Sequence, residues 1–476
     1  MSSHPAAEIR ARLPHPVIDS DGHTLEFMPA VRDELVALAG NEVAAAFDQV
    51  LSIWQRSRGW SAAEKRAEGL FRMTWWGFPA RNTDDRAMAI LPELLHARLP
   101  ELGIDYAFVY PTFGLAGLGI EADELRRASL RAFNRYYAES YAGLGDRLCP
   151  VAMIPMHTPE EAILELEHCV RELGFRAVLL AGHAARPAPI QDPPRTARWL
   201  DSFGLDSLYD YDPVWAKCEE LGVAPTFHSS AMGWPGRASP TNYVMNHLGN
   251  FAAAGDATCR SLFMGGVTRR FPRLRFAFLE GGVAWGCQLY ADLVGHFEKR
   301  GAGRIQAYDP REIDRERMRR LFDRYAPESF RRHADALDAS LHLLCEPDED
   351  PAGLDEFARC GLERAEQIRE LFAVPFHFGC EADDPMNAAA FDTSRNPFAA
   401  KLKAVWGSDI GHWDVPDARQ ALPEAYEQVE RGLLREAEFR DFVFAHPVDL
   451  WTATNRDFFR GTAVEDAVAK EIAARP

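Results

Sequence analysis

Asp21 and His23 lie two residues apart at the end of a short apolar run, in Ile18-Asp19-Ser20-Asp21-Gly22-His23. On extended backbone, residues i and i+2 project to the same face, so this carboxylate and this imidazole can converge on one ion. His228 closes a second run, Pro225-Thr226-Phe227-His228, and Asp409 closes a third, Trp406-Gly407-Ser408-Asp409. Two imidazoles and two carboxylates form a mixed N/O donor set. Such a set suits one divalent ion, with Zn2+ the first expectation, Mn2+ the second, Fe2+ an alternative and oxygen-seeking Mg2+ a poorer match. An ion with an open coordination position lowers the pKa of a water there toward about 7, which makes a nucleophile at neutral pH.

For these residues to meet, the chain must bring distant strand ends together. Strands of a parallel barrel are buried on both faces and read as short apolar runs between amphipathic helices. Eight such runs are present: Val17–Ile18 leading into Asp19–His23, Tyr106–Pro111, Leu148–Ile154, Ala177–Leu180, Ala224–His228, Arg275–Leu279, Phe376–Cys380 and Val405–Ser408. Helical patterns separate them at Leu125–Tyr141, Pro159–Leu173, Pro213–Leu221 and Ala257–Arg270. Pro159–Leu173 opens on the cap Thr158, stops at Gly174 and spaces Ala162, Leu166 and Val170 along one face. This alternation predicts an α/β fold, a (β/α)8 barrel. The competing doubly wound sheet lacks its usual GxGxxG turn after the first strand. In the barrel the first and eighth strands are neighbours and the fifth lies across the mouth, so the four candidate ligands surround one point.

The chain is expected to form one domain over residues 1–476, enlarged by insertions after the first and sixth strands at about 27–100 and 296–373. The first carries Trp54, Trp60, Trp75, Trp76 and Phe78, flat walls that could roof a pocket for an apolar or aromatic substrate. The second is dense in charge, and both could equally be helical decoration or an oligomer interface. A net charge of -18 argues against nucleic acid and anionic membranes as partners. The eight cysteines form no CxxC pair, which reads as reduced thiols. With no apolar leader in Met1–Pro16 and no long apolar run, a cytoplasmic protein is expected.

Five segments carry a resemblance to a known family: Ile18–Glu26 (IDSDGHTLE), Asp146–Pro155 (DRLCPVAMIP), Gly265–Gly282 (GGVTRRFPRLRFAFLEGG), Gly407–His412 (GSDIGH), and Asn455 with Phe458–Phe459. Through them the chain resembles the amidohydrolase superfamily, in the branch of aminocarboxymuconate-semialdehyde decarboxylase and related aromatic-acid decarboxylases. The resemblance implies a single catalytic metal. Asp21 and His23 would fill the HxH-type pair, with His228 and Asp409 as the other ligands. Two-metal members usually need a bridging Lys or Glu on the fourth strand, which here reads Ala177-Val178-Leu179-Leu180. The resemblance also implies at least a dimer, and a homodimer is expected.

One departure stands out. Decarboxylases of the branch usually place a histidine where this chain has Glu280, in Phe278-Leu279-Glu280-Gly281-Gly282. A carboxylate there could serve as a general base, coordinate the metal, or accept backbone N–H bonds at the turn. The sequence therefore predicts, first, a metal-dependent hydrolase using activated water on a small carboxylated or aromatic substrate, with Asp409 and Glu280 catalytic. A nonoxidative decarboxylase of an aromatic or dienoic acid is the alternative, and a noncatalytic metal- or ligand-binding barrel is a third reading. His247, Glu381 and His412 are candidate substrate-lining residues, with Asp383 and Asp384 near Glu381. Arg270, Arg273 and Arg275 are expected to meet carboxylates on the outside, and Trp285 to pack the helix after the sixth strand.

Overall fold

A computed structural model of the protein describes residues 5–72, 80–192, 197–228, 234, 239–341 and 355–475. Eight parallel strands follow one another in the order β1-β2-β3-β4-β7-β8-β9-β10. They are β1 (Ile18–His23), β2 (Tyr106–Tyr110), β3 (Leu148–Ile154), β4 (Ala177–Leu180), β7 (Pro225–Phe227), β8 (Phe276–Phe278), β9 (Phe376–Cys380) and β10 (Lys403–Trp406). Every residue of β1, β2, β4, β7, β8 and β9 is buried. Burial on both faces is what an interior of packed side chains inside a ring of helices requires.

The ring closes between β10 and β1 at the end where the candidate ligands sit. The Asp409 amide donates to the Asp21 carbonyl at 2.9 Å, and the His23 amide donates to the Ile410 carbonyl at 2.9 Å. A side chain reinforces the seam: Asp19 accepts from the Ser408 amide at 2.9 Å and from the Ser408 hydroxyl at 2.5 Å. This is the (β/α)8 barrel that the alternating pattern predicts. The predicted strands β3, β4 and β9 match to the residue, whereas the eighth lies two residues earlier than read from sequence.

Two details differ from the sequence reading. The predicted helix Ala257–Arg270 is two helices, Asn250–Met264 and Val267–Arg270. Gly266 breaks it by adopting φ 72°, and a Cβ at Gly265 would sit 1.9 Å from the Gly204 carbonyl oxygen, so the close approach needs glycine. An antiparallel hairpin, β5 (Ala184–Pro187) with β6 (Arg198–Asp201), also lies outside the barrel pattern. A buried Arg186–Asp201 pair at 2.6 Å holds it.

The first insertion is helical, with a long helix Met28–Arg56 kinked at Gly40, then Ala62–Ala67, Thr83–Ile90 and Pro92–Leu102. Trp60 is half-buried; the side chain of Trp54, and Trp75, Trp76 and Phe78, lie outside the described residues. The helix Ala284–Arg300 runs on past the expected start of the second insertion, whose helix Arg315–Tyr325 buries no residue. Arg270 pairs with Asp212 at 2.6 Å, Arg273 with Glu219 at 2.8 Å and Arg275 with Asp449 at 3.5 Å, all away from the candidate site. Trp285 packs edge-on against Phe278 and Phe378. The seven described cysteines are unpaired. Among the described residues no helix is long and apolar enough to cross a membrane.

Candidate metal centre

Each candidate ligand leaves the C-terminal end of a barrel strand, where this fold gathers its reactive groups. Asp21 and His23 are on β1, and His228 follows β7 directly. Glu280 follows β8 after Leu279, and Asp409 follows β10 after Gly407-Ser408. The barrel brings all five together. Glu280 Oε2 lies 2.6 Å from His228 Nε2. His23 Nε2 is 3.3 Å from Asp409 Oδ1, 3.4 Å from Asp21 Oδ1 and 3.8 Å from Glu280 Oε2. His412 joins them, with Nδ1 2.5 Å from Asp409 Oδ1 and its ring 3.6 Å from that of His23. The other ring nitrogen of His23 faces the Pro111 carbonyl at 3.2 Å, which turns Nε2 inward.

Burial sets the protonation of this cluster. His23 is lowered to about 3 and His228 to about 4, chiefly because the charged imidazole would lose its solvent. Both are therefore neutral, the form that binds a metal. The same loss of solvent raises Asp21 to about 6 and Asp409 to about 7. Glu280 is raised well above the usual carboxylate range by burial, then by the charges of Asp409 and Asp21. Asp19, raised by burial to about 7, spends both oxygens on the β1–β10 seam and its neighbours.

These groups fit a divalent ion. Asp21, His23 and His228 can offer donor atoms within 4.8 Å of one another, and so can His23, Glu280, Asp409 and His412. Asp21 Oδ1, His23 Nε2 and Asp409 Oδ1 are buried and make no hydrogen bond. A buried polar atom left without a partner costs about 1–3 kcal/mol, and several at one point are explained by a cation between them. The Glu280 carboxylate accepts no backbone N–H bond, so its side chain faces the cluster rather than bracing the turn.

Beside the cluster opens a cavity of about 350 Å³, lined by Glu280 together with His247, Phe251, Glu381, Asp384, Trp413 and Asp414. The candidate residues His247 and Glu381 are thus in its wall, while His412 belongs to the ligand cluster itself. Glu381 is raised to about 8, first by burial and then by Asp409 and Asp414. Trp413 and Asp414 were not singled out from sequence, although they directly follow His412 in Gly411-His412-Trp413-Asp414; nor was the bracing role of Asp19. A larger cavity of about 870 Å³, lined by Leu205, Arg260, Leu293 and Phe357 among others, contains none of these residues.

A parallel barrel with carboxylates and imidazoles converging at its C-terminal mouth has the fold and a donor set of the amidohydrolase type. The amidohydrolase family profile matches residues 18–329, well over half the chain, and the chain belongs to that family. Among curated proteins it is similar to 2-amino-3-carboxymuconate-6-semialdehyde decarboxylase of Dictyostelium discoideum, with 27% identity over 149 residues, 31% of this chain and 36% of that protein. It is also similar to the decarboxylase orsB of Emericella nidulans (strain FGSC A4), with 30% identity over 158 residues, 30% of this chain and 42% of that protein. The matches thus span less than half the length of either relative. Among solved structures, an amidohydrolase from Mycobacterium avium subsp. paratuberculosis K-10 shares the fold at a TM-score of 0.52 and 21% identity, covering 92% of this chain and 100% of that one.

Proposed function

We propose that this chain is a metal-dependent carboxy-lyase that removes CO2, without oxidation, from a small aromatic or dienoic acid. The observation that carries this reading is the pairing of a metal-type donor cluster with similarity to two relatives that are both named decarboxylases. Asp21, His23, His228 and Asp409 would hold the ion, for which Zn2+ is the first choice and Mn2+ the second. Bound there, the ion would supply positive charge to draw in a substrate carboxylate.

Loss of CO2 breaks the bond between the carboxylate and its carbon, and the electron pair left on that carbon must take up a proton. A protonated carboxyl in a dry site is suited to give it. Glu280 qualifies, since burial and its acidic neighbours keep its proton on. Its side chain borders both the cluster and the cavity, so the proton can be delivered where substrate sits. His412, 2.5 Å from Asp409, fixes that carboxylate's orientation.

Hydrolysis, the first expectation from sequence, is the second reading. It is supported by the 2.6 Å approach of Glu280 to His228, which would put a carboxylate base beside activated water. The deciding experiment offers Zn2+- and Mn2+-loaded protein hydroxybenzoates, aminobenzoates and dienoic acids in D2O, and separately esters and amides. CO2 release with deuterium at the vacated carbon is the expected result. Cleavage of an ester or amide with no CO2 from any acid would overturn the proposal in favour of hydrolysis.

The chain is further proposed to work as one barrel domain, because both insertions leave and re-enter the barrel between consecutive strands.

A further inference from the structure

We propose that the cavity beside the cluster binds an amine, held as its ammonium cation, so that the substrate carries a basic nitrogen. This rests on reading the adjoining cluster as the active centre. The cavity, about 350 Å³, has room for a molecule of one small ring. Glu280, Glu381, Asp384 and Asp414 present carboxyl groups along its wall, and no Lys or Arg lines it among the described residues.

A divalent ion does not account for this acidity. Its two positive charges are already met by the Asp21 and Asp409 carboxylates, so Glu381, Asp384 and Asp414 gain no counter-charge from it. Among the described residues none of these three makes an ion pair. The Asp384 carboxyl accepts the Met386 amide at 2.8 Å, and Asp414, which hydrogen-bonds Asp409, leaves its Oδ1 buried without a hydrogen bond. Glu280 supplies a separate indication. Its side chain is 2% exposed, it borders the cavity, and its Oε1 makes no hydrogen bond. A second anion placed here would meet carboxylates on several sides.

The aromatic wall distinguishes an organic cation from another metal ion. Trp413 and Phe251 line the cavity with His247 between them. The Trp413 ring stands edge-on to Tyr243 at 5.5 Å and to His247 at 5.6 Å, and His247 meets Phe251 at 5.8 Å. Aromatic faces next to carboxylates are the two elements by which proteins recognise alkylammonium groups. A bare divalent ion would use the carboxylates and gain nothing from the rings.

The test is isothermal titration of the Mn2+-loaded, full-length protein with benzylamine and benzyl alcohol near neutral pH, where an alkylamine is protonated. Benzylamine should bind about tenfold more tightly than benzyl alcohol. That preference should fall below about threefold in the Glu381→Gln/Asp384→Asn variant, and weaken in Trp413→Leu, with metal content and melting temperature as controls. Should the double variant not fold, Asp384→Asn alone carries the comparison. Equal binding of amine and alcohol, no heat with benzylamine, or a preference that survives the substitutions would overturn the proposal. So would displacement of benzylamine by a second Mn2+ per chain. Because binding is read without turnover, a protein that selects the amine yet releases CO2 from no acid would retire the decarboxylase reading and leave the amine site standing.

Discussion

Glu280 and Asp409 hold the same left-handed backbone conformation, φ 54° and 52°, just beyond the ends of β8 and β10. For residues other than glycine this costs about 1–3 kcal/mol each, and it persists where surrounding structure enforces it. Here the conformation turns two carboxyls from separate strands toward one point, against His228 and His23 respectively. Glycines occur nearby at Gly282 and Gly411, also at positive φ, yet the two strained positions are acids.

Asparagine tolerates this conformation better than most residues and carries no charge to bury. Asp409→Asn is therefore expected to raise the melting temperature of the metal-free protein by about 1–3 °C. CO2 release should fall by about 10²–10⁴-fold. Thermal melts and steady-state assays on the same preparations read both. Full activity in this variant would remove Asp409 from the mechanism.

Elemental analysis of the purified protein should find close to one divalent ion per chain. His228→Ala should bind it more weakly by more than about 100-fold, since the substitution removes a donor and leaves Glu280 facing an empty space. A wild type that takes up neither Zn2+ nor Mn2+ on reconstitution would refute the metal centre.

Metal binding should release protons in a pH-dependent way. Asp21 and Asp409 are raised to about 6 and about 7, against about 3.9 for a free carboxyl. The folded, metal-free protein thus holds protons that the unfolded chain has lost. This contribution to stability is fully present below about pH 4 and is lost as pH rises through about 7. His23 and His228, lowered to about 3 and about 4, act in the opposite direction: they favour the folded state above about 6.5 and oppose it as pH falls through their own values. Calorimetry in buffers of different ionisation enthalpy should show about one to two protons released per ion near pH 6, and almost none from these carboxyls near pH 8.5. Release that does not vary with pH would contradict the raised carboxyls.

Ser408→Ala tests the seam between β10 and β1. It removes the hydroxyl donor to Asp19 and leaves a buried carboxyl oxygen unsatisfied. A loss of about 1–3 kcal/mol in urea unfolding is expected. Metal affinity should weaken as well, because Ser408 adjoins Asp409. An unchanged unfolding midpoint would mean that closure does not depend on this bond.

Much of the architecture is legible in the sequence. Strands buried on both faces leave continuous apolar runs, and β3, β4 and β9 read out to the residue for that reason. The start of the helix at Pro159 was legible in its cap Thr158, which forms a capping box with Glu161, but the stretch read as one helix to Leu173 is an α-helix to Glu167 followed by a wider π turn over His168–Glu172. The break at Gly265–Gly266 was not legible, because it depends on the close approach of Gly204, far away in sequence. Nor was the β5–β6 hairpin, whose Arg186–Asp201 pair forms only on folding.

The sequence by itself determined the candidate ligand types and their places at strand ends, since an i, i+2 pair on one strand and single acids or histidines after others are local facts. It could not say which way Glu280 faced, because base, ligand and turn brace share one residue type; only the barrel sets its carboxylate against His228. Likewise His412, Trp413 and Asp414 are consecutive in sequence, yet His412 enters the ligand cluster while its two successors line the cavity. Tertiary structure decides such matters because direction and burial belong to the packed barrel, and they fix both the protonation of a carboxyl and the charge of what can bind beside it.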